Sequence, residues 1–458
     1  MKMRRSVTAS RIGRLSLLGK LAGGVVGGML SEGAKQLAGG RSPGLDSLLL
    51  TPANARRVTH RLSEMRGAAM KVGQLMSMDS GQILPPELSD ILARLRDGAH
   101  QMPSTQVTAV LQSAWGKDWQ SGFSHFEFEP IAAASIGQVH KAVLQDGRRL
   151  AVKVQYPGIR RSIDSDVDNV SALLRTFSLI PKELNILPVL QEAKSQLHAE
   201  ADYRLEAESL RRFSAYLAHD ERFSAPEVID SMTTTDVLTM THMDGQPIEK
   251  LAAAAAEKRN ATATALVELA LREVFDWGLV QTDPNFANYL YQPGSGRIQL
   301  LDFGATRTYS ETQRGALCAL LTACLDGDEK DIEKAAARVG YLDPHDPPRY
   351  RNGIIALLLD ASEPARTAGS YDFGNSGLAD RMRERLLRMR LQDKFWRLPP
   401  TSTLFLHRKL AGLYMLLTRL RANVAIHDLV SRLDTTSTQA QKQSRTNTRA
   451  GNVDAVLR

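Results

Sequence analysis

The sequence predicts an α+β chain of two lobes, a small mixed one followed by a larger helical one. Two observations carry this. Residues 126–155, FEFEPIAAASIGQVHKAVLQDGRRLAVKVQ, alternate in the manner of strands and turn at Asp146-Gly147. From about residue 248 onward apolar residues recur at helical spacing. One hairpin breaks that pattern, NYLYQPGSGRIQLLDFG, with PGSG as its turn. A length of 458 residues, 43% of them hydrophobic, suffices to bury both cores.

Taken in order, residues 1–40 form a basic, Gly-rich leader. It holds seven Lys/Arg and one acid, Glu32, so +6 of the chain's net +8 sits there. The leader has no aromatic residue and no folded basic face, which argues against nucleic acid and for an anionic membrane surface. No run of about 18 uncharged apolar residues exists, so no transmembrane helix is expected. LAGGVVGGML is too short to span, yet its Gly23/Gly27 and Gly24/Gly28 spacing suits close helix packing and permits a homodimer. An Arg-rich, acid-poor start also reads as a mitochondrial transit peptide, or as a flexible leader.

Residues 41–120 read as a helical extension, with Val58, Leu62, Met65, Ala69, Val72 and Met76 at spacings of three and four. LPPEL opens a further helix. Residues 121–247 form the small lobe: the two strands around Asp146-Gly147, a helical insert over about 162–216, then APEVID and DVLTMTHMDG as strands. Residues 248–434 form the helical lobe, and 435–458 a polar tail expected to be disordered. Cys318 and Cys324, six apart in GALCALLTACL, read as small core residues of a reduced, intracellular protein. The sequence contains no internal repeat.

Four residues in order and spacing carry the chemistry. AVKV places Lys153 inside a strand, where an ammonium can meet phosphates. In TDPNFAN, Asp283 and Asn288 stand five apart, the DxxxxN spacing of a catalytic aspartate and a metal-binding asparagine. Asp302 of LLDFG follows at the end of an apolar strand, and hard oxygen donors of this kind suit Mg²⁺. A DFG by itself means little, because a second one, at Asp372, has no strand before it and reads as loop. The joint pattern predicts a bilobal protein-kinase-like fold binding ATP or ADP. Counting back from Lys153 puts Val139 at the end of the phosphate loop and Ala132, Ala134 and Gly137 at its three glycine positions. Alanine restricts the backbone there and hinders its approach to phosphate.

A second departure from ordinary kinases is GAAMKVGQLMSMD, a helix carrying Lys71, Gly73 and Gln74 ahead of the small lobe. KxGQ, AAASIGQVH, VKVQYPG, Glu200-Ala201-Asp202-Tyr203-Arg204-Leu205-Glu206-Ala207, QTDPNxxN and LLDFGATR together resemble the UbiB/ADCK atypical kinase-like family, in its ubiquinone (coenzyme Q) branch. VTASRIGRLSLLGKLAGG and LHRKLAGLYMLL resemble that branch too, so the likeness runs from about residue 7 to about 430.

The resemblance implies roles. Lys153 would contact the α- and β-phosphates, and Asn288 and Asp302 would bind Mg²⁺. Asp283 matches the catalytic aspartate, although Gln281 and Thr282 replace the usual His-Arg. Ala132, Ala134, Ser135, Gly137 and Val139 would form the loop over the phosphates, with adenine near Met240 and Met243. Glu200 matches the helix-C glutamate, and Lys71 would pair with it, drawing the KxGQ helix over the site where a protein substrate would lie.

The resemblance also implies a bacterial cytoplasmic protein, peripheral on the inner face of the cell membrane, since the family-like part leaves little room for a transit peptide. The apolar C-terminal helices of the bacterial branch are missing from the sequence. Attachment would then use the leader or a surface such as the basic stretch RMRERLLRMRLQDKFW, a pattern more often found on a solvated helix face. Partners would be nucleotide, quinone-precursor lipids and other ubiquinone-biosynthesis proteins. The function expected is an atypical kinase-like ATPase supporting ubiquinone biosynthesis. A nucleotide-binding scaffold and a true protein or small-molecule kinase are the alternatives.

Overall fold

The computed structural model describes residues 67–69, 71–72, 101–176, 185–395 and 397–432. The leader, most of the helical extension with Gly73 and Gln74, and the polar tail lie outside these residues. The described chain divides into two compact units. The first takes the residues up to Gly245, with 292–306 and 397–404; the second takes 246–291, 307–395 and the residues from 405 onward.

The first unit is organised by an antiparallel sheet. Its strands are β1 (Phe123–Phe126), β2 (Ala132–Ala133), β3 (Gly137–Leu144), β4 (Arg149–Gln155) and, later in the chain, β6 (Val237–Thr241). They lie in the order β1-β3-β4-β6, with β2 folded back on the start of β3. The β3–β4 turn is at Asp146-Gly147, where Gly147 takes a φ of +87° that residues with a Cβ rarely adopt. Alternation along β4 sends Leu150, Val152 and Val154 to one face and Ala151, Lys153 and Gln155 to the other. The apolar face joins Val107 and Leu111 of α1 (Ser104–Trp115), with Trp119 and Phe123, in one core. Each such side chain contributes about 1.5–3 kcal/mol when fully buried.

Beyond the sheet come α2 (Ile159–Thr176), α3 (Leu187–Glu200) and α4 (Tyr203–Leu217). Strand β5 (Phe223–Ser224) runs parallel to residues Ile298–Leu300. APEVID does not become the strand its composition predicts. It keeps one bridge, Val228 to Met240, and bonds from Ile229 N–H to Thr239 O and from Thr241 N–H to Glu227 O. Pro226 has no N–H to donate, so a continuous ladder cannot start there.

The second unit is mainly helical. It contains β7 (Gln246–Pro247), α5 (Ala256–Leu271) closing in a π-helical turn over Arg272–Trp277, β8 (Leu279–Gln281) and β9 (Tyr289–Tyr291). Helices α6 (Glu311–Asp326), α7 (Glu329–Val339), α8 (Pro348–Ala361) and α9 (Leu378–Leu391) follow, and α10 (Thr401–Leu420) enters this unit from Phe405. Ser310 and Gln313 form a reciprocal capping box at the start of α6. Cys324 is buried in the core of α6 to α9, and burial pushes its thiol up to about 11. Cys318, expected to be equally buried, is only half-buried. Among the described residues no helix is long and apolar enough to cross a membrane.

Candidate functional site

Lys153 stands on the face of β4 turned away from the apolar core. Register places Val139 opposite Lys153 and Met240 opposite Ala151, so all four share one sheet face. Met240 is buried and Met243, just past β6, is half-buried. Ala132 and Ala133 pair with Val139 and Gln138, and the Ala134 N–H donates to the Gly137 carbonyl at 2.9 Å. The alanine loop is therefore a tight hairpin. Glycine at 137 is demanded by packing, since a Cβ there would lie 2.4 Å from the Val154 carbonyl oxygen and 2.6 Å from the Tyr203 hydroxyl.

Lys153 Nζ donates to both carboxylate oxygens of Glu206 at 2.8 Å and faces Asp302 Oδ2 at 3.4 Å. Burial alone would lower the Lys153 pKa, but the Asp302 and Glu206 carboxylates more than offset it and hold it well above the ordinary value. Burial pushes Glu206 up to about 7 against the pull of Lys153. Asp302, one-third exposed, goes the other way. Burial would raise it, yet Lys153 and the Gly304 N–H, 2.9 Å from Oδ1, hold it below the usual carboxylate range.

Glu200 does not take the helix-C role expected of it, because Lys153 is bound by Glu206. Glu200 Oε1 is ion-paired with Lys71 and its Oε2 accepts from Ser135 Oγ at 2.9 Å. The reason is a break in the helix. Six residues along one helix would turn the two carboxylates about 120° apart. Here α3 ends at Glu200 and Asp202 caps a new helix, α4, through its bond to the Arg204 N–H. Glu200 and Glu206 thus face different lysines. The described part of the KxGQ helix lies on the loop tip, where a Cβ on Gly67 would meet Ile136 Cγ2 at 3.2 Å and Ser135 O at 3.4 Å.

Asp283 and Asn288 belong to the second unit. Asn288 Nδ2 donates to Asp283 Oδ2 at 2.8 Å, which leaves its own Oδ1 as the hard donor. Asp283 Oδ1 is ion-paired with Arg408, and Gln281 Nε2 holds the Asp283 carbonyl at 3.0 Å. One residue further along α10, buried Lys409 binds both oxygens of Glu273 at 2.9 Å, and Glu273 accepts the Gln281 N–H. Burial raises the Glu273 pKa despite Lys409. A turn later, a Cβ on Gly412 would fall 1.9 Å from Pro284 Cβ. Glu206, Arg408, Lys409 and Glu273 were not among the residues singled out from sequence. Asp202 as a helix start was the available signal for Glu206; LHRKLAG was visible as a motif without a role.

Asp372 sits in a two-residue strand, exposed, with its carboxylate taken by Gly374 N–H, Asn375 N–H and Asn375 Nδ2. On α9, Arg381, Arg383, Arg385 and Arg388 pair with Glu363, Asp380, Asp360 and Glu384, and Arg390 is buried. Four of the five arginines on this helix therefore have a carboxylate partner within the chain.

Among the described residues no three His, Cys, Asp or Glu side chains are placed to hold a metal by themselves. The residues nonetheless fit Mg²⁺ of the kind that keeps phosphate oxygens as ligands. The first unit sets two ammonium groups, Lys71 and Lys153, against three carboxylates, Glu200, Glu206 and Asp302, and Asp302 is the exposed one.

The chain matches the ABC1 atypical kinase-like domain over residues 94–336. It is similar to the mitochondrial atypical kinase COQ8 of Saccharomyces cerevisiae, with 39% identity across 92% of this chain and 84% of that one. Mitochondrial atypical kinase COQ8B of Rattus norvegicus is 39% identical across 93% and 80%. Among solved structures, Rv3197 of Mycobacterium tuberculosis in complex with erythromycin aligns with a TM-score of 0.57 and 26% identity, over 83% of this chain and 95% of that one. The protein-kinase-like α+β fold expected from sequence is the fold the chain has. The expected place on the inner face of a bacterial cell membrane is corrected, since both curated relatives are mitochondrial by name.

Proposed function

We propose, from the premise that this chain belongs to the ABC1 atypical kinase-like family and is a kinase-type enzyme, that it binds and hydrolyses ATP with Mg²⁺ in support of ubiquinone biosynthesis. The observation that carries this is Lys153, held by Glu206 at 2.8 Å and facing Asp302 at 3.4 Å. A lysine so fixed cannot sweep solvent and is ready for the α- and β-phosphates. In this reading Asp302 and Asn288 hold Mg²⁺, which neutralises charge on the phosphate oxygens. Ala132, Ala134, Ser135, Gly137 and Val139 cover the nucleotide, and Met240 and Met243 line the adenine.

Asp283 has both carboxylate oxygens engaged, by Arg408 and Asn288. That suits orienting a water better than stripping a proton from a protein hydroxyl. Lys71 and Glu200, with Ser135, restrain the alanine loop, which supports limited protein kinase activity. The ubiquinone setting rests on the motif resemblance and on the likeness to the COQ8 kinases. Quinone-precursor lipids, other proteins of that biosynthesis and a second copy of the chain are the partners it implies. The +6 leader is assigned to an anionic membrane surface, at about 1 kcal/mol per basic residue near it. A nucleotide-binding scaffold is the second reading, favoured by the fully engaged Asp283.

One experiment separates these. Ubiquinone is measured in cells lacking the gene and complemented with wild type, Asp302→Asn or a chain lacking residues 1–40. Wild type should restore ubiquinone and Asp302→Asn should not; full rescue by Asp302→Asn establishes the scaffold. The shortened chain should leave the membrane fraction, and an unchanged fraction removes the leader from the account.

A further inference from the structure

Ser135 is the one hydroxyl in the loop IAAASIG. The hairpin does not depend on it. Ala134 N–H donates to the Gly137 carbonyl at 2.9 Å, and the Ile136 carbonyl accepts from Tyr156 N–H at 2.9 Å. The Ser135 hydroxyl instead leaves the loop and donates to Glu200 Oε2 at 2.9 Å, while Lys71 holds Oε1 of the same carboxylate. Glu200 and Lys71 are both buried, whereas Ser135 is only half-buried and so has an open side.

A serine hydroxyl carries a single proton and can donate to one acceptor at a time. Its neighbours Ala132, Ala133 and Ala134 have no donor beyond the backbone. Any side-chain hydrogen bond from this loop to a bound phosphate must therefore come from Ser135, and must be taken from Glu200. We propose that Ser135 is a specificity-determining residue whose proton is exchanged between Glu200 and the terminal phosphate of a nucleoside triphosphate. The Lys71–Glu200 pair competes with the γ-phosphate for that proton. The position of the KxGQ helix is thereby coupled to the preference for triphosphate over diphosphate. This rests on the nucleotide reading given above and names the group that sets its selectivity.

The test measures ATP and ADP affinities, with Mg²⁺, for the full chain by calorimetry. Ser135→Ala should weaken ATP about threefold, the difference between the phosphate bond gained and the Glu200 bond given up, and leave ADP unchanged. Ser135→Thr, which keeps the hydroxyl, should retain the wild-type ratio. Glu200→Gln weakens the competing acceptor and should tighten ATP relative to ADP by a similar factor. That gain should vanish when Ser135→Ala is added. If Glu200→Gln does not fold, the Ser135→Ala and Ser135→Thr pair decides the matter alone. Equal effects of Ser135→Ala on both nucleotides, or no effect on either, overturn the proposal while leaving the nucleotide site standing. Wild-type protein that binds neither nucleotide overturns the site and the proposal together.

Discussion

Asp302-Phe303-Gly304 and Asp372-Phe373-Gly374 are the same three residues closed by the same local hydrogen bond. In each the aspartate Oδ1 accepts the glycine N–H at 2.9 Å, and in each the phenylalanine is buried. They diverge at the second oxygen. Asp302 Oδ2 faces Lys153 at 3.4 Å, beside the buried Glu206. Asp372 Oδ2 is closed off by Asn375 Nδ2 at 2.9 Å, a partner three residues away. A tripeptide sets the turn; chemistry depends on what distant chain is brought to the oxygen left over. At Asp302 that partner comes from 149 residues away.

The comparison breaks most readily at the aspartates themselves. Asp302→Asn should remove most of the Mg²⁺-dependent stabilisation by nucleotide, about 2.7 kcal/mol at a ligand concentration of 100 Kd. Asp372→Asn should leave it intact. Thermal-shift titration of both variants reads this directly, and equal losses would mean the two turns are chemically alike.

The next effect is on folding. Glu206→Gln leaves Lys153 buried with a weaker partner, though still facing Asp302, and should cost about 2 kcal/mol. Beside the second turn Glu363 accepts from Tyr371 Oη at 2.7 Å and pairs with Arg381 at the surface. Glu363→Gln should cost no more than about 1 kcal/mol. Urea unfolding distinguishes them, and similar midpoints would contradict the contrast drawn between buried and exposed partners.

The smallest effect should come from the glycines. A Cβ on Gly304 would lie 3.2 Å from Glu206 Oε2, so Gly304→Ala should displace that carboxylate from Lys153. Nucleotide affinity should fall roughly fivefold, about 1 kcal/mol. A Cβ on Gly374 would lie 3.3 Å from Arg421 Cα. Gly374→Ala should change stability without touching affinity. A loss of affinity in both would sharpen nothing and would remove position as the cause.

Much of this was legible in the sequence because strand chemistry and motif spacing are local. The Asp146-Gly147 turn, the strand bearing Lys153 and the isolation of Asp372 all follow from residues close together. Glu206 was less legible. Two glutamates share one motif, and only the helix break after Glu200 decides which lysine each one meets. Arg408 and Lys409 were the least legible, since their partners Asp283 and Glu273 lie 125 and 136 residues away. The ion pairs of α9 were hidden for a related reason. Composition counts arginines without seeing the Asp360 and Glu363 that take their charge.

Helix α10 has a consequence for how damage to this gene would look. Arg408 grips Asp283, Lys409 secures Glu273 beneath it, and Gly412 admits Pro284 with no room for a single added carbon. Every recognisable kinase motif is complete by residue 304, a hundred residues earlier in synthesis. A premature stop between those points would yield a polypeptide with all its kinase motifs and nothing to brace the loop that carries Asp283. Missense changes at position 412, far along the chain from the kinase motifs, should segregate with the same defect as changes at Asp283.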